Sequence, residues 1–165
     1  MSYTPSHLGH VNIFVRNAEK AQQWYTEMLG LHTYDLIPGR AAFMSANRDE
    51  SHEIALVEVG DNAMGPQAGQ VGLNHMAWRM GSLQDLADFY HRLAEKNVPI
   101  GRVSDHGISL GIYLKDPDGN GIEVYYELPR SQWPTQEKIF SGPRLQGQFP
   151  GPWEKDLIPD AIARR

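Results

Sequence analysis

The chain has 165 residues, of which 41% are hydrophobic and 21% charged, a composition typical of an ordinary folded globular domain with a substantial core. It contains no cysteine, which excludes disulfides, thiolate chemistry and cysteine-ligated zinc, so any metal site must use His, Asp, Glu or backbone oxygen. A net charge of −5 without a dense Lys/Arg block argues against nucleic acid or an anionic membrane as a partner. A small molecule is the expected ligand.

The beginning of the chain gives no sign of export or membrane insertion. The stretch MSYTPSHLGHVN lacks a basic start followed by an apolar core. No apolar run approaches the roughly 18 residues that a membrane helix needs. We therefore expect a cytoplasmic protein.

The first predicted elements are a strand, a helix and three short strands. LGHVNIFVR alternates apolar and polar side chains, and His10 falls on the face away from the Val/Ile stripe. Asn17 caps the helix that follows, and Gly30 ends it. The three short strands are predicted in LHTYDLI, RAAFMSA and HEIALVEV.

The same order of elements starts again after the Gly-rich link GDNAMGPQAGQVG. LNHMAWRM is the new opening strand, and a helix follows with Ser82 and Asp85 as a start resembling a capping box. That helix ends at Asn97. Strands near PIGRVSD, ISLGIYLKD and GIEVYYEL complete the second copy.

The two copies keep a fixed offset. His10 and His75 are 65 residues apart, and the same offset relates Trp24-Tyr25 to Phe89-Tyr90. A constant offset across a strand and a helix indicates an internal βαβββ repeat. The predicted fold is therefore α+β, with two modules pairing into a cupped mixed sheet around a metal site. The predicted domains are 1–128, with modules at about 7–60 and 72–128, and an extended tail at 129–165.

The segment from Pro129 to Arg165 is rich in proline but keeps apolar anchors. We expect it to wrap the surface and cover a sheet edge; the alternative is a lid over a pocket mouth. The anchors are Trp133, Ile139, Phe140, Phe149 and Trp153.

Three polar residues are expected on the sheet face that the helices leave uncovered. His10 and His75 open equivalent strands, and Glu123 lies on the last strand, opposite its apolar neighbours. Each residue alone is more typical of a hydrogen-bonded histidine or an edge-strand charge. Together they predict one divalent metal, because a buried carboxylate is costly unless it is paired or bound to a cation.

Two further residues are candidates for the same site. A hairpin folded about Asp116–Asn120 brings Tyr113 nearly opposite Glu123 on one face, although a rim or core tyrosine is the simpler interpretation. His106 precedes the same strand, where a surface-loop histidine is the alternative to a site residue. Phe14, Met44 and Trp78 are further candidates for lining an apolar pocket, although strand alternation favours the core for Trp78.

These stretches resemble the vicinal oxygen chelate superfamily, which includes glyoxalases, antibiotic-resistance proteins and extradiol dioxygenases. The resemblance is carried by LGHVNIF, HEIALVEV, LNHMAW and DHGISLGIYLKDPDGNGIEVYYE, within residues 8–127. The last stretch is very similar to the extradiol signature, a His followed by a Tyr, an Asp-Pro-x-Gly and a Glu. Ser104, two residues before His106, departs from that signature.

The resemblance implies a small one-domain extradiol dioxygenase. It implies His10, His75 and Glu123 as metal ligands, and His52, His106 and Tyr113 as catalytic groups beside the metal. The implied metal is iron(II), with manganese(II) as the alternative. The implied ligands are an aromatic diol and O2, and we expect a homo-oligomer.

The branches of the superfamily differ at one position. Glyoxalases of this type close the metal with a fourth ligand, and the corresponding residue here is Ala55, which cannot bind metal. Two His and one carboxylate leave open positions, which favours a dioxygenase. The alternatives are a metal-dependent isomerase or lyase of the same superfamily, or a non-catalytic module that binds aromatic drugs.

His52 is harder to assign to this site. In an unbroken strand it shares a face with Ile54 and Leu56, away from Ala55. The sequence therefore predicts an irregular backbone just before Glu53 if His52 is to enter the site.

Overall fold

The computed structural model describes residues 3–133 and 139, which divide into two compact units. The first unit holds the described residues up to Gln67 together with Asp116–Gly119. The second holds Ala68–Lys115 and the described residues from Asn120 onward. The tail anchors Phe140, Phe149 and Trp153 lie outside the described residues, as does most of the segment expected to wrap the surface or, as the alternative, to form a lid. No helix in the described part is long and apolar enough to cross a membrane.

The first unit contains one helix and a four-stranded mixed sheet in the order β1-β4-β3-β2. The β1–β4 pair is parallel, and the other two pairs are antiparallel. The elements are β1 (Val11–Val15), α1 (Ala18–Leu29), β2 (His32–Ile37), β3 (Ala41–Ser45) and β4 (Ile54–Glu58).

The second unit repeats this architecture. Its sheet has the order β5-β8-β7-β6, and β5 again pairs in parallel with the last strand. The elements are β5 (Met76–Arg79), α2 (Leu83–Glu95), β6 (Arg102–Asp105), β7 (Ser109–Lys115) and β8 (Gly121–Glu127), followed by a short 3-10 helix at Arg130–Gln132. The α+β class and the two βαβββ copies are confirmed.

The helix boundaries follow from their capping residues. The Asn17 side chain accepts a hydrogen bond from the Lys20 backbone N–H at 2.8 Å, and Gly30 adopts the left-handed conformation at φ 70°. In α2, the Ser82 side chain accepts from the backbone N–H of Asp85 at 3.1 Å. Both predicted helix starts are therefore confirmed.

Each helix buries one apolar stripe. In each unit this stripe and the inward side chains of the strands form the core, and the opposite sheet face is left for other residues. The buried helix residues are Ala18, Ala21, Tyr25 and Met28 in α1, and Leu86, Ala87, Phe89, Tyr90 and Leu93 in α2.

The register of the parallel strand pair is the same in the two units. Asn12 on β1 pairs with Ala55 on β4, and Ala77 on β5 pairs with Glu123 on β8. Asn12 and Ala77 are separated by the repeat offset of 65 residues. Ala55 therefore occupies the place in the first unit that Glu123 occupies in the second, as the sequence predicted.

The turn between β7 and β8 belongs to the first unit and is held there by buried polar contacts. The Tyr25 hydroxyl donates to Asp116 Oδ2 at 3.0 Å, and burial followed by the Asp116 charge raises the pKa of Tyr25. Asp116 Oδ1 also accepts from the backbone N–H of Asp118 at 2.9 Å. The Arg16 guanidinium donates to Asp118 Oδ1 at 2.9 Å and to Ala63 O at 3.0 Å. The turn therefore has a fixed conformation.

The contact between Tyr25 and Asp116 gives a stability prediction. We expect Tyr25→Phe to lower the free energy of unfolding by about 2 kcal/mol, because Asp116 is buried and loses a charge-assisted hydrogen bond. Tyr34→Phe is the matched control: its hydroxyl donates to Arg48 O at an exposed position, and we expect a loss below about 1 kcal/mol. Urea unfolding of the three proteins measures the difference, and equal losses would contradict the prediction.

Candidate active site

Four side chains from the four strands of the second sheet stand in one row. Ala77 pairs with Glu123, Glu123 with Tyr113, and Tyr113 with Arg102. Residues paired across neighbouring strands share a face, and buried Ile122 beside Glu123 points to the other side. The predicted position of Tyr113 opposite Glu123 is confirmed.

His75, immediately before β5, faces Glu123. His75 Nε2 lies 3.0 Å from Glu123 Oε2, and the two side chains are 30% and 12% exposed. His75 Nδ1 lies 2.6 Å from Asn74 Oδ1, and because an amide oxygen only accepts, Nδ1 is the donor.

This pair suits a metal ion. A metal-bound histidine usually donates its other ring N–H to a carbonyl or carboxylate, as His75 does to Asn74. Its Nε2 and the Glu123 carboxylate then face one another across a gap of 3.0 Å, and only a proton or a cation between them removes the repulsion of two lone pairs. Imidazole nitrogen and carboxylate oxygen are both ligands of divalent transition metals.

Gly111 on β7 makes room for the Glu123 carboxylate. A Cβ built on Gly111 would overlap Glu123 Oε1 and lie 3.2 Å from the Glu123 carboxyl carbon. The displaced group is the end of a flexible side chain, so a larger residue moves the carboxylate and leaves the strand in place. Sequence reasoning did not single out Gly111, although an isolated glycine inside a strand often marks such a close approach.

The groups around Tyr113 shift its pKa in opposite directions. Burial raises the pKa of Tyr113 to about 12, the hydrogen bond and charge of Glu123 add to the rise, and Arg102 opposes it. His106, exposed in the turn between β6 and β7, places Nε2 3.2 Å from the Tyr113 hydroxyl. Near neutral pH Tyr113 is therefore a protonated phenol that can donate a hydrogen bond.

The other predicted residues lie in the first unit. His10 precedes β1, and its ring centroid lies 4.4 Å from that of His52. His52 also meets the Phe43 ring edge-on at 5.4 Å, and Phe43 pairs with Ala55. His52 precedes β4, which begins at Ile54, and the chain bends at Ser51 and at Glu53, so His52 reaches the Phe43 ring from outside the regular strand. The predicted irregular backbone is confirmed.

Glu53 stabilises this irregular stretch. Its carboxylate accepts hydrogen bonds from Ser45 Oγ at 2.9 Å and from the backbone N–H groups of Ala46 at 2.8 Å and Asn47 at 2.9 Å. The chain before β4 is thereby tied to the end of β3, and His52 is carried on a fixed segment. The sequence predicted the irregularity but not this cause.

The structure groups the six predicted catalytic and metal-binding residues by unit. His75, Glu123, Tyr113 and His106 form one contact cluster in the second unit, and His10 packs against His52 in the first. Within residues 3–133 and 139, no three His, Asp or Glu side chains form a group that could hold a metal ion.

Two of the suggested pocket residues are placed differently from one another. Met44 is fully buried and pairs with Ile54 in the core, so it does not line a pocket. The sequence alone could not predict this, because the pairing register decides which face of a sheet a strand residue occupies. Phe14 is 68% exposed.

The raised pKa of Tyr113 predicts a pH dependence. Its pKa is about 12 in the folded protein and near the ordinary 10.0 when unfolded, so its contribution to stability is complete below pH 10 and is lost as the pH rises through about 12. The near-ultraviolet phenolate absorbance of the wild type minus that of Tyr113→Phe measures this group. A difference curve with its midpoint near pH 10 would refute the assignment.

Gly111→Ala tests the position of the carboxylate. We expect the variant to fold but to shift Glu123 away from Tyr113, so that the pKa of Tyr113 falls from about 12 toward 10.0. Gly9→Ala is the control, because a Cβ there meets nothing within 4 Å. The same phenolate titration reports both variants, and an unchanged Tyr113 midpoint in Gly111→Ala would show that the carboxylate tolerates the methyl group.

Comparison with known proteins identifies the family. Residues 7–124 match the family model of the Glyoxalase/Bleomycin resistance protein/Dioxygenase superfamily. The chain is 31% identical over 129 residues to the catechol-2,3-dioxygenase of Bacillus subtilis (strain 168), covering 78% of this chain and 44% of that protein. It is 27% identical over 165 residues to biphenyl-2,3-diol 1,2-dioxygenase 2 of Rhodococcus globerulus, covering 99% of this chain and 84% of that protein.

A solved structure shows the same fold. The glyoxylase/bleomycin resistance protein/dioxygenase domain from Frankia sp. EAN1pec superposes with a TM-score of 0.64 at 22% identity, over 75% of this chain and 99% of that one. The family model spans most of the chain, and the two βαβββ copies agree with this fold. The chain therefore belongs to the glyoxalase/bleomycin resistance/dioxygenase superfamily, also called the vicinal oxygen chelate superfamily.

Proposed function

We propose that this protein is an extradiol dioxygenase, which opens a catechol-type ring with O2 at a divalent metal bound by His10, His75 and Glu123. The observation that carries the proposal is the opposed pair of His75 Nε2 and Glu123 Oε2 at 3.0 Å, directly beside the protonated phenol of Tyr113. The dioxygenases of Bacillus subtilis and Rhodococcus globerulus among the relatives support the same reaction class.

The proposed ligand set distinguishes this reaction from that of a glyoxalase. His10 is the counterpart of His75 at the repeat offset of 65 residues, and Ala55 is the counterpart of Glu123. In this proposal the first unit supplies one ligand, His10, and Ala55 supplies no carboxylate as a fourth ligand. Two imidazoles and one carboxylate suit iron(II), with manganese(II) as the alternative. Three protein ligands leave coordination positions open for the substrate and dioxygen. When bound, the metal would orient the diol and dioxygen and mediate electron transfer between them.

Tyr113 and His106 are the proposed groups that act on the substrate oxygens. The Tyr113 hydroxyl, protonated at neutral pH, donates a hydrogen bond to one oxygen of the diol and so fixes the orientation of the ring. His106 Nε2 lies 3.2 Å from that hydroxyl, so the imidazole orients the phenol and takes or returns a proton through it.

His52 is the proposed base for the diol. Its Nδ1 lies 3.1 Å from Ser51 Oγ, which leaves Nε2 for a substrate proton. The rings of His10 and Phe43 both contact the His52 ring, at 4.4 and 5.4 Å between centroids. A base held by packing loses little freedom when the substrate binds, and such positioning is part of its catalytic value.

Anaerobic reconstitution with iron(II), followed by catechol and air, tests the proposal. We expect oxygen uptake together with the rise of a yellow ring-opened semialdehyde or keto acid. Glu123→Ala is expected to lose bound metal and turnover together, whereas Tyr113→Phe and His106→Ala keep the metal and lose roughly 100-fold or more in turnover. Glu127→Ala is the control carboxylate on the same strand and is expected to keep both.

Other outcomes would favour the alternatives. Turnover that consumes no oxygen would indicate an isomerase or lyase, and aromatic binding by a protein without stoichiometric metal would indicate a binding module. Full-speed turnover by Tyr113→Phe or His106→Ala would remove that residue from the mechanism.

A further inference from the structure

The row that contains Glu123 and Tyr113 ends at a cation that the proposed chemistry does not use. Arg102 pairs with Tyr113 across β6 and β7, and its guanidinium carbon lies 4.0 Å from the centroid of the Tyr113 ring. A guanidinium over an aromatic face is held by the electrostatic attraction of the ring. Arg102 is an exposed residue, so its charge is accessible from solvent.

The charge of Arg102 is not neutralised by a carboxylate in the described part of the chain. Arg79, on the same face of the sheet, forms an ion pair with Glu127 at 3.1 Å. Arg102 makes no ion pair with any residue in 3–133 or 139. This difference matters because the chain carries a net charge of −5, so an anion needs a local cation to bind.

The spacing of the row matches a substituted aromatic ring. The backbones at Glu123 and Arg102 are separated by two strand spacings, about 10 Å, and the Arg102 guanidinium reaches back over the Tyr113 ring between them. A ring whose hydroxyl oxygens point toward Glu123 lies along Tyr113 and directs its far side toward Arg102. A guanidinium binds a carboxylate through two parallel N–H donors, which gives both affinity and orientation.

We infer that Arg102 determines the substrate class, by binding a carboxylate carried on the side of the ring away from the two hydroxyl groups. The inference rests on the proposed function and narrows it to catechols with an anionic side chain. Arg102 is then a specificity residue, while Tyr113 serves both as its stacking partner and as the hydrogen-bond donor to the diol.

Calorimetric titration of the metal-loaded protein without oxygen tests the inference separately from turnover. The ligands are dihydroxyphenylacetate and its methyl ester, which has the same ring and no charge. We expect the acid to bind the wild type more tightly than the ester. Arg102→Gln is expected to weaken binding of the acid roughly tenfold and to leave the ester unchanged, because one charge-assisted contact is lost. Arg102→Lys is expected to retain part of the preference for the acid over the ester. Arg79→Gln is the control and is expected to leave the affinity for both ligands unchanged.

The other possible results of these titrations would contradict the role of Arg102, the proposed function, or both. Equal weakening of acid and ester in Arg102→Gln would mean that Arg102 acts only by packing on Tyr113, and the inference would fail. An ester that binds the wild type as tightly as the acid would also overturn it, while oxygen uptake with uncharged catechols would still support the proposed function. If neither ligand bound and no catechol led to oxygen uptake, both proposals would fall.

Discussion

The facing imidazole and carboxylate of His75 and Glu123 are the constraint around which the second sheet is organised. Asn74 occupies one nitrogen of the ring, so the other meets a largely buried carboxylate at 3.0 Å. Two lone pairs at that distance repel, and a positive charge between them converts the repulsion into attraction. The neighbours are consistent with this requirement: Gly111 leaves space for the carboxylate, and Tyr113 stands directly across from it.

The row from Glu123 through Tyr113 to Arg102 places a carboxylate, a phenol and a guanidinium on adjacent strands. Burial and the carboxylate raise the pKa of the phenol and the guanidinium opposes them, so the hydroxyl stays protonated near neutral pH. Because the three side chains come from paired strands, the sheet hydrogen bonds hold their spacing, and no loop has to close to assemble them. A site built on strands is held more accurately than one built on loops.

Local signals in the sequence were sufficient for the elements and the repeat. Asn17 and Ser82 are effective caps by their chemistry alone, and the 65-residue offset is visible without any structure. The sequence could not predict which residues pair with one another across neighbouring strands. Met44 was wrongly considered for a pocket because the parity of β3 against β4 depends on register, and Gly111 and Arg102 gain their meaning only from partners on neighbouring strands.

The turn between β7 and β8 has a consequence for how such a repeat can evolve or be divided. Its residues, Asp116–Gly119, belong to the first unit although the strands on either side belong to the second. A polypeptide cut after Gln67 would deprive the Tyr25 hydroxyl of its acceptor and Arg16 of its carboxylate. The two halves of the sequence are therefore not interchangeable copies, because the second half contains Asp116–Gly119, which belongs to the first unit.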